Sequence, residues 1–136
     1  MQTYRQSTTL AEIFQRQLDS SVPDDQLAWL RAELLNATQQ CSALVVVGHH
    51  AVYGGGQHAQ SARQQDLKVR LDFPGVFAWL GVDSYYNGHD HILEHDMDAQ
   101  GVNYFTTGAG SDVRTNNVDI PEQVFQFAGN GFVIES

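Results

Sequence analysis

Histidines gather at two points of the sequence, each time directly after an apolar run that ends in glycine. Residues 48–50 read Gly-His-His, and residues 88–91 read Gly-His-Asp-His. Neutral imidazole is a common metal ligand, and a glycine beside it lets the backbone approach an ion closely. Since residues two apart on an extended segment point the same way, His89 and His91 can each reach one ion of a close pair. The pattern predicts a metal site.

The remaining histidines carry weaker signals. His58 follows the glycine run at 54–56, in a loop that we expect to be exposed and flexible. His95 lies in a predicted hairpin and is interpreted as an ordinary residue near its rim. The competing interpretation for any single histidine is a surface residue of an acidic protein. Because two Gly-His groups follow consecutive predicted strands, we do not interpret these two groups together as ordinary surface histidines.

The charge of the chain restricts its partners. It has 16 acidic and 7 basic residues, for a formal net charge of −9. No cluster of lysine or arginine offers a track for a phosphate backbone, so nucleic acid is not an expected partner. An anionic substrate would be repelled by this surface unless a bound divalent or trivalent metal made the site locally positive. The acidic composition, like the histidine groups, therefore indicates a bound metal if the substrate is an anion.

Cysteine content and hydropathy exclude further classes. Cys41 is the only cysteine, so the chain can form neither an internal disulfide nor a thiolate zinc site. We interpret this thiol as a small buried residue beside a strand. No segment is long and apolar enough to span a membrane, and residues 1–6 lack the apolar core of a signal peptide.

The elements around the histidines indicate how they are positioned. The apolar run at 43–47 does not alternate, which is typical of a strand buried on both faces of a helix-covered sheet. A second strand is predicted at 82–86. In layered α/β folds, functional residues collect at the carboxyl ends of such strands, so both histidine groups are expected at the same edge of the sheet.

The rest of the pattern predicts a layered α/β architecture within one domain of 136 residues. Pro23 and the two acids after it favour the start of a helix that ends near residue 40, whereas residues 1–22 are weakly patterned. Further helices, a hairpin and a closing strand are predicted at 61–71, 76–80, 92–97 with 102–106, and 131–134. This order favours a sheet with flanking helices.

Five stretches, taken in order and with their spacing, resemble the purple, or tartrate-resistant, acid phosphatases of the calcineurin-like metallophosphoesterase superfamily. They read QLAWL at 26–30, VVGHHAVY at 46–53, GVD at 81–83, GHDH at 88–91 and GAGS at 108–111. The resemblance implies a layered metallophosphoesterase-type sandwich. Of that sandwich this chain is the C-terminal half, a single partial domain whose family-like part covers residues 23–136.

The resemblance also implies roles for individual residues. His49 and His89 are implied ligands of the second, divalent metal, and His91 of the first metal, which is ferric in the purple enzymes. His58 aligns with a loop histidine that contacts substrate phosphate or protonates the leaving group. His50 is implied to support the site or face the substrate. In the complete enzyme, two metal ions (iron with iron, zinc or manganese) hydrolyse a phosphomonoester substrate.

The family's other ligand motifs are missing from this sequence. D-x-G, G-D-x-x-Y and G-N-H, which supply two aspartates, a tyrosine and an asparagine, have no counterpart here. The three implied ligands hold at most one ion weakly, without a carboxylate to bridge two. We therefore expect a longer enzyme whose N-terminal half precedes this chain or sits on a partner chain. We also expect the unpaired strand edge at 45–47 to favour aggregation.

Two other functions stay open. The first is a degenerate, non-catalytic metallophosphoesterase domain that serves as a binding or assembly subunit, with its histidines as relics or as ligands of one structural ion. The second is a single-metal-binding protein built on the three histidines. The residues do not specify a compartment, and the resemblance implies only that the family is often secreted, lysosomal or vacuolar.

Overall fold

The computed structural model describes residues 24–41, 43–69 and 75–134, within which a helix and a strand are followed by two short helices and then four strands. In chain order the elements are α1 (Asp24–Ala37), β1 (Val45–Val47), α2 (Ala62–Leu67), α3 (Val76–Trp79), β2 (Ser84–Asn87), β3 (Leu93–Met97), β4 (Asn103–Thr107) and β5 (Gln123–Phe127). The predicted weakly patterned start at 1–22 lies outside the described residues. Among the described helices, none has the length and apolar character needed to cross a membrane.

The strands form one mixed sheet in the order β1-β2-β4-β3-β5. Strand β1 runs parallel to β2 and β2 parallel to β4, whereas β3 pairs antiparallel with both β4 and β5. Strands β3 and β4 are the predicted hairpin. Strands β1 and β2, which are parallel neighbours, are the two strands that precede the histidine groups. The predicted α/β class, a sheet with flanking helices, is confirmed.

Backbone hydrogen bonds continue the pairing of β1 and β2 past the ends of the strands. Gly48 N donates to Tyr86 O at 2.9 Å, and Gly88 N donates to His49 O at 3.2 Å. Such bonds are the rungs of a parallel ladder. The two Gly-His segments therefore leave the sheet side by side.

Apolar side chains from the helices and the sheet form one core. Its buried members include Leu27, Leu34, Val46, Leu67, Phe77, Tyr85 and Tyr104. Val46 and Tyr85 are direct partners across β1 and β2, and both are buried. A slip of one residue would turn both side chains to the opposite face, so the core fixes the register of the two strands. Cys41 is partly buried against this core.

The closing strand predicted at 131–134 is wrong. Those residues have no regular structure, and Phe132 and Ile134 are 78% and 79% exposed. The strand that closes the sheet is β5, which pairs with the free side of β3. Its apolar side chains do not alternate with polar ones and are about half exposed, so the sequence carried no period-two signal for it.

Candidate metal centre

The ends of β1 and β2 bring two imidazoles from distant parts of the chain together. Nδ1 of His89 lies 3.2 Å from Nε2 of His49, and the ring centroids are 5.0 Å apart. Two nitrogens bound to one tetrahedral zinc ion at about 2.0–2.1 Å are roughly 3.3 Å from each other. The pair is therefore at the spacing that one ion requires, and the same spacing suits a hydrogen bond between the rings.

A third imidazole, that of His50, lies against this pair. Its ring centroid is 4.4 Å from that of His89 and 5.0 Å from that of His49. One ligand nitrogen from each of the three residues lies within 4.8 Å of the other two. Nδ1 of His50 is buried and has no hydrogen-bond partner among the described residues, which is a costly state for a polar atom. We call these three residues the histidine cluster.

The environment of the cluster favours neutral imidazoles. Burial, followed by the neighbouring His89 and Arg63, lowers the pKa of His50 to about 4. Burial, followed by the neighbouring His58, also lowers the pKa of His89. Only the unprotonated ring has a lone pair to offer a metal. Both residues are thus in the protonation state that metal binding requires at neutral pH.

His89 holds a backbone conformation that side chains rarely adopt. Its φ is +63°, in the left-handed region, and Asp90 N donates to Gly88 O at 2.7 Å across the same turn. A residue other than glycine in this conformation costs on the order of 1–2 kcal/mol. The strain accompanies the approach of the His89 ring to His49, which builds the cluster.

The two glycines that precede the histidines differ in what they permit. A Cβ at Gly48 would collide with the hydroxyl of Tyr85, which donates to His50 O at 2.9 Å. A Cβ at Gly88 would meet no described atom within 4 Å. Packing beneath the cluster therefore requires glycine at position 48, and the Tyr85 hydrogen bond holds the backbone of His50 in place.

His58 reaches the cluster from the glycine-rich loop. The prediction that this loop is exposed is wrong, because the glycines at 54–56 are buried. Its ring centroid is 4.1 Å from that of His89. Its Nδ1 lies 2.7 Å from Oδ1 of Asp90, and its backbone N donates to the same oxygen at 3.0 Å. Asp90 is buried, and a Cβ added at Gly56 would lie 2.6 Å from the Cβ of Asp90. The buried carboxylate thus fixes the loop and the His58 ring together.

His91 lies outside the histidine cluster. Its Nδ1 is 3.1 Å from Oδ2 of Asp112, and the same oxygen is 2.7 Å from Nη2 of Arg114. Arg114 N also donates to His91 O at 3.0 Å. Of the predicted site residues, the structure brings together His49, His50 and His89, with His58 in ring contact. The role of His91 as a metal ligand stays a prediction.

Sequence reasoning missed the acidic residues beneath the site. Glu94 is buried, its Oε1 and Oε2 accept from Gly55 N at 2.9 and 3.1 Å, and burial raises its pKa. One signal was available, because acidic residues recur with a period of two at 94, 96 and 98, within and just after β3, and all three are buried. They are Glu94, Asp96 and Asp98. No comparable pattern marked Asp112.

The ligand set of the described residues fits one ion rather than two. Three imidazole nitrogens are the number of protein ligands that many catalytic zinc sites use, with a fourth position left for water or substrate. The buried, unpaired nitrogen of His50 is consistent with such a use. Within the described parts of the chain, the cluster includes no carboxylate that could bridge a second ion.

Comparisons with known proteins give a consistent family. No protein-family profile matches the chain. Purple acid phosphatase 17 of Arabidopsis thaliana is 35% identical over 95 residues, which are 65% of this chain and 27% of that protein. Tartrate-resistant acid phosphatase type 5 of Homo sapiens is 32% identical over 97 residues, 71% of this chain and 28% of that protein. The chain thus spans about a quarter of the length of these relatives.

A solved structure described as "GAP50 the anchor in the inner membrane complex of Plasmodium" has the same fold. It matches with a TM-score of 0.70 at 23% identity, over 85% of this chain and 36% of that chain. This match shows that the mixed sheet and its flanking helices have the fold of that structure. The sequence matches make this chain a relative of the purple, or tartrate-resistant, acid phosphatases, as the motifs predicted.

Proposed function

We propose that this chain is the metal-binding part of an acid phosphatase that hydrolyses phosphomonoesters at a two-metal site. One observation carries the proposal: the parallel strands β1 and β2 deliver His49 and His89 to one edge of the sheet with two ring nitrogens 3.2 Å apart. Similarity to the purple acid phosphatases supports the same function. The proposed ions are iron paired with iron, zinc or manganese.

The proposal assigns ligands and charge. His49 and His89 hold one ion, and His91 offers its ring to the second. When bound, such ions polarise a phosphate oxygen and lower the pKa of a coordinated water molecule. The chain has a formal charge of −9, so a metal-loaded, histidine-lined pocket is also what would let an anionic phosphate ester approach this surface.

His58 is the proposed proton donor to the leaving group. A general acid needs a ring that is held in place beside the leaving group. The carboxylate of Asp90, 2.7 Å from Nδ1 of His58, holds this ring in position. The ring also touches His89, which keeps it at the proposed metal. His50, next to the same ring, faces the substrate side in this proposal.

A second function is favoured by the composition of the cluster, which has three nitrogens and no carboxylate among the described residues. Such a cluster suits one structural ion in a non-catalytic binding or assembly subunit. The solved structure of the same fold is that of a protein described as an anchor, and an anchoring role is compatible with a non-catalytic domain.

The native protein, with any segments that adjoin this chain in its source, separates the two functions. We would measure its metal content and its hydrolysis of p-nitrophenyl phosphate at acid pH. His49→Ala and His89→Ala are the test variants, and His95→Ala, which removes a histidine bonded to Asn103 instead, is the matched control. Two metal equivalents, and turnover that only the test variants abolish, support the phosphatase. If the unsubstituted protein hydrolyses the substrate no faster than the His49→Ala variant does, the proposed phosphatase activity is overturned.

A further inference from the structure

We propose that Glu94 is a positioning residue for His58. From strand β3 its buried carboxylate holds the glycine-rich loop, and the loop in turn keeps the His58 ring beside the histidine cluster. This role rests on the proposed function, in which His58 gives a proton to the leaving group. Glu94 lies outside the motifs that predicted the site, and no chemical role has so far been assigned to it.

The burial of an acid at position 94 is the first reason to expect a specific task. Glu94 is 1% exposed, and its direct partners across the sheet are Thr106 on β4 and Gln126 on β5. Burial raises the pKa of Glu94, even though hydrogen bonds from Gly55 and Gln126 oppose the shift. An apolar side chain would fill this inner face of the sheet without the free-energy cost of burying an acid. The hydrogen bonds of Glu94 are what an apolar residue would not provide.

Those hydrogen bonds lead to the loop. Oε1 and Oε2 of Glu94 accept from Gly55 N at 2.9 and 3.1 Å, and Oε1 also accepts from Nε2 of Gln126 at 2.9 Å. A carboxylate offers two acceptors to these donors, whereas an amide of the same shape turns a donor toward one of them. Gln126 therefore braces the carboxylate from β5 while the carboxylate binds the loop.

The loop backbone has no room to shift against Glu94. A Cβ added at Gly54 would lie 3.1 Å from Oε2 of Glu94, and one added at Gly55 would collide with the carbonyl oxygen of Val118. On that side Val118 N donates to Gly55 O at 2.8 Å, and Nε2 of Gln64 donates to Gly54 O at 2.9 Å. The Gly55 peptide is thus held from two sides, so a displaced Glu94 carboxylate must displace it too.

A second buried acid holds the same loop three residues further on. Oδ1 of Asp90 accepts from His58 N at 3.0 Å and lies 2.7 Å from Nδ1 of the same residue. A segment fixed at two points so close in sequence has little freedom, so releasing the Glu94 anchor should also loosen the one at His58. The His58 ring is 4.1 Å, between centroids, from that of His89. A misplacement of about 1 Å can cost about 100-fold in rate.

The chemistry proposed for His58 gives this role a distinctive readout. In the hydrolysis, a water oxygen forms a new bond to phosphorus and releases one proton to the solvent. The ester P–O bond breaks, and the ring proton of His58 passes to the leaving oxygen. A phenolate needs that proton, whereas a dinitrophenolate is a weak base that leaves without it. A misplaced His58 ring should therefore slow the hydrolysis of phenyl phosphate selectively.

The first test compares phenyl phosphate with dinitrophenyl phosphate as substrates of the native protein, with any segments that adjoin this chain in its source. We expect Glu94→Gln to lower kcat/KM for phenyl phosphate by about 10–100-fold and that for dinitrophenyl phosphate by less than about threefold. His58→Ala should show the same selectivity, and the double variant should be no slower than His58→Ala. Equal losses for the two esters in Glu94→Gln, or no loss, would overturn the proposal.

Asp96→Asn is the matched control. Asp96 is a buried acid two positions along the same face of β3, without a hydrogen-bond partner among the described residues. We expect this variant to keep the parent's ratio of kcat/KM for the two esters. A ratio changed as much as in Glu94→Gln would attribute the effect to the loss of any buried acid in β3, and the positioning role would be wrong.

The second test needs no turnover. Amide hydrogen exchange, resolved to single residues, is compared between the parent and Glu94→Gln. We expect exchange about tenfold faster or more at Gly55 and also at His58, whose amide donates to Asp90. Faster exchange at Gly55 alone would overturn the proposal. If the parent hydrolyses neither ester, or His58→Ala shows no selectivity, the reaction role of His58 fails, whereas this measurement still decides whether Glu94 positions it.

Gln126→Ala covers the case in which Glu94→Gln does not fold, which circular dichroism of each variant checks. The substitution removes the brace on Oε1 and leaves the bonds from Glu94 to Gly55. We expect a smaller effect in the same direction, with kcat/KM for phenyl phosphate lowered by about threefold or more and faster exchange at Gly55 and His58. A Gln126→Ala protein that matches the parent in both measurements would overturn the proposal.

Discussion

Nδ1 of His89 lies 3.2 Å from Nε2 of His49, although 40 positions separate the two residues in the chain. The contact exists because β1 and β2 are parallel neighbours whose carboxyl ends meet at one edge. If both nitrogens bind the same ion, removing either should be about as harmful as removing both. We expect His49→Ala, His89→Ala and the double variant to lose metal binding to the same extent, as measured by titration with Co²⁺. Additive losses would contradict a shared ion.

Gly108 supports the turn that carries His89. A Cβ at this position would collide with the carbonyl oxygen of Asp90, so Gly108→Ala must displace the backbone next to His89. We expect a loss of about 1–3 kcal/mol in the free energy of unfolding and weaker metal binding. Gly110→Ala is the matched control, since a Cβ there meets no described atom within 4 Å. Equal stability of the two variants would refute this role of Gly108.

Asp96 makes stability depend on pH. Its side chain is fully buried, and neither carboxylate oxygen has a hydrogen-bond partner among the described residues. Burial raises the pKa of Asp96 to about 8. The negative charges of Glu94 and Glu122 raise this pKa further, whereas the positive charge of Lys68 lowers it. Because the unfolded chain releases this proton near pH 4 while the folded chain keeps it, stability falls as pH rises from about 4 to about 8.

Asp96→Asn removes that cost, so we expect the variant to be more stable than the parent at pH 7 by about 2 kcal/mol or more. The gain should shrink toward pH 4. Denaturant unfolding at several pH values checks this, with the exposed Asp119→Asn as a control. A gain that is the same at pH 4 and pH 7 would show that Asp96 does not titrate in this way.

The two edges of the sheet predict self-association. Among the described strands, β1 lies at one edge of the sheet and β5 at the other, with Phe125 53% exposed. Exposed apolar edge strands pair with other chains. We expect Phe125→Lys to slow aggregation, measured by light scattering, without lowering the melting temperature. Gln100→Lys adds the same charge at an exposed turn, and an equal effect of this variant would attribute the change to charge alone.

The sequence was informative where local chemistry and topology agree. A β-branched run followed by Gly-His-His, and a second run followed by Gly-His-Asp-His, were enough to place His49 and His89 at one sheet edge, because parallel strands align their carboxyl ends. The α/β class followed from the same reasoning. These conclusions depend on patterns within a few residues and on general rules of strand pairing.

Other features depend on contacts that no local pattern encodes. The position of His50 next to His89 results from the bend after β1, and the engagement of His91 depends on Asp112, which lies 21 positions away. Strand β5 forms because β3 offers a free edge, although its own residues do not alternate. The buried acidic residues of β3 could be found in the sequence from their period of two. The hydrogen bonds by which Glu94 holds the loop at Gly55 could not, because they join residues 39 positions apart.

The most direct test of the metal centre is an anomalous difference map from crystals of the protein grown with Zn²⁺ and measured at the zinc absorption edge. We predict one strong peak within bonding distance of Nε2 of His49 and Nδ1 of His89, at about 2.0–2.1 Å from each. Absence of a peak there, or a peak only beside His91 and Asp112, would contradict the metal centre on which the proposed functions of this protein depend.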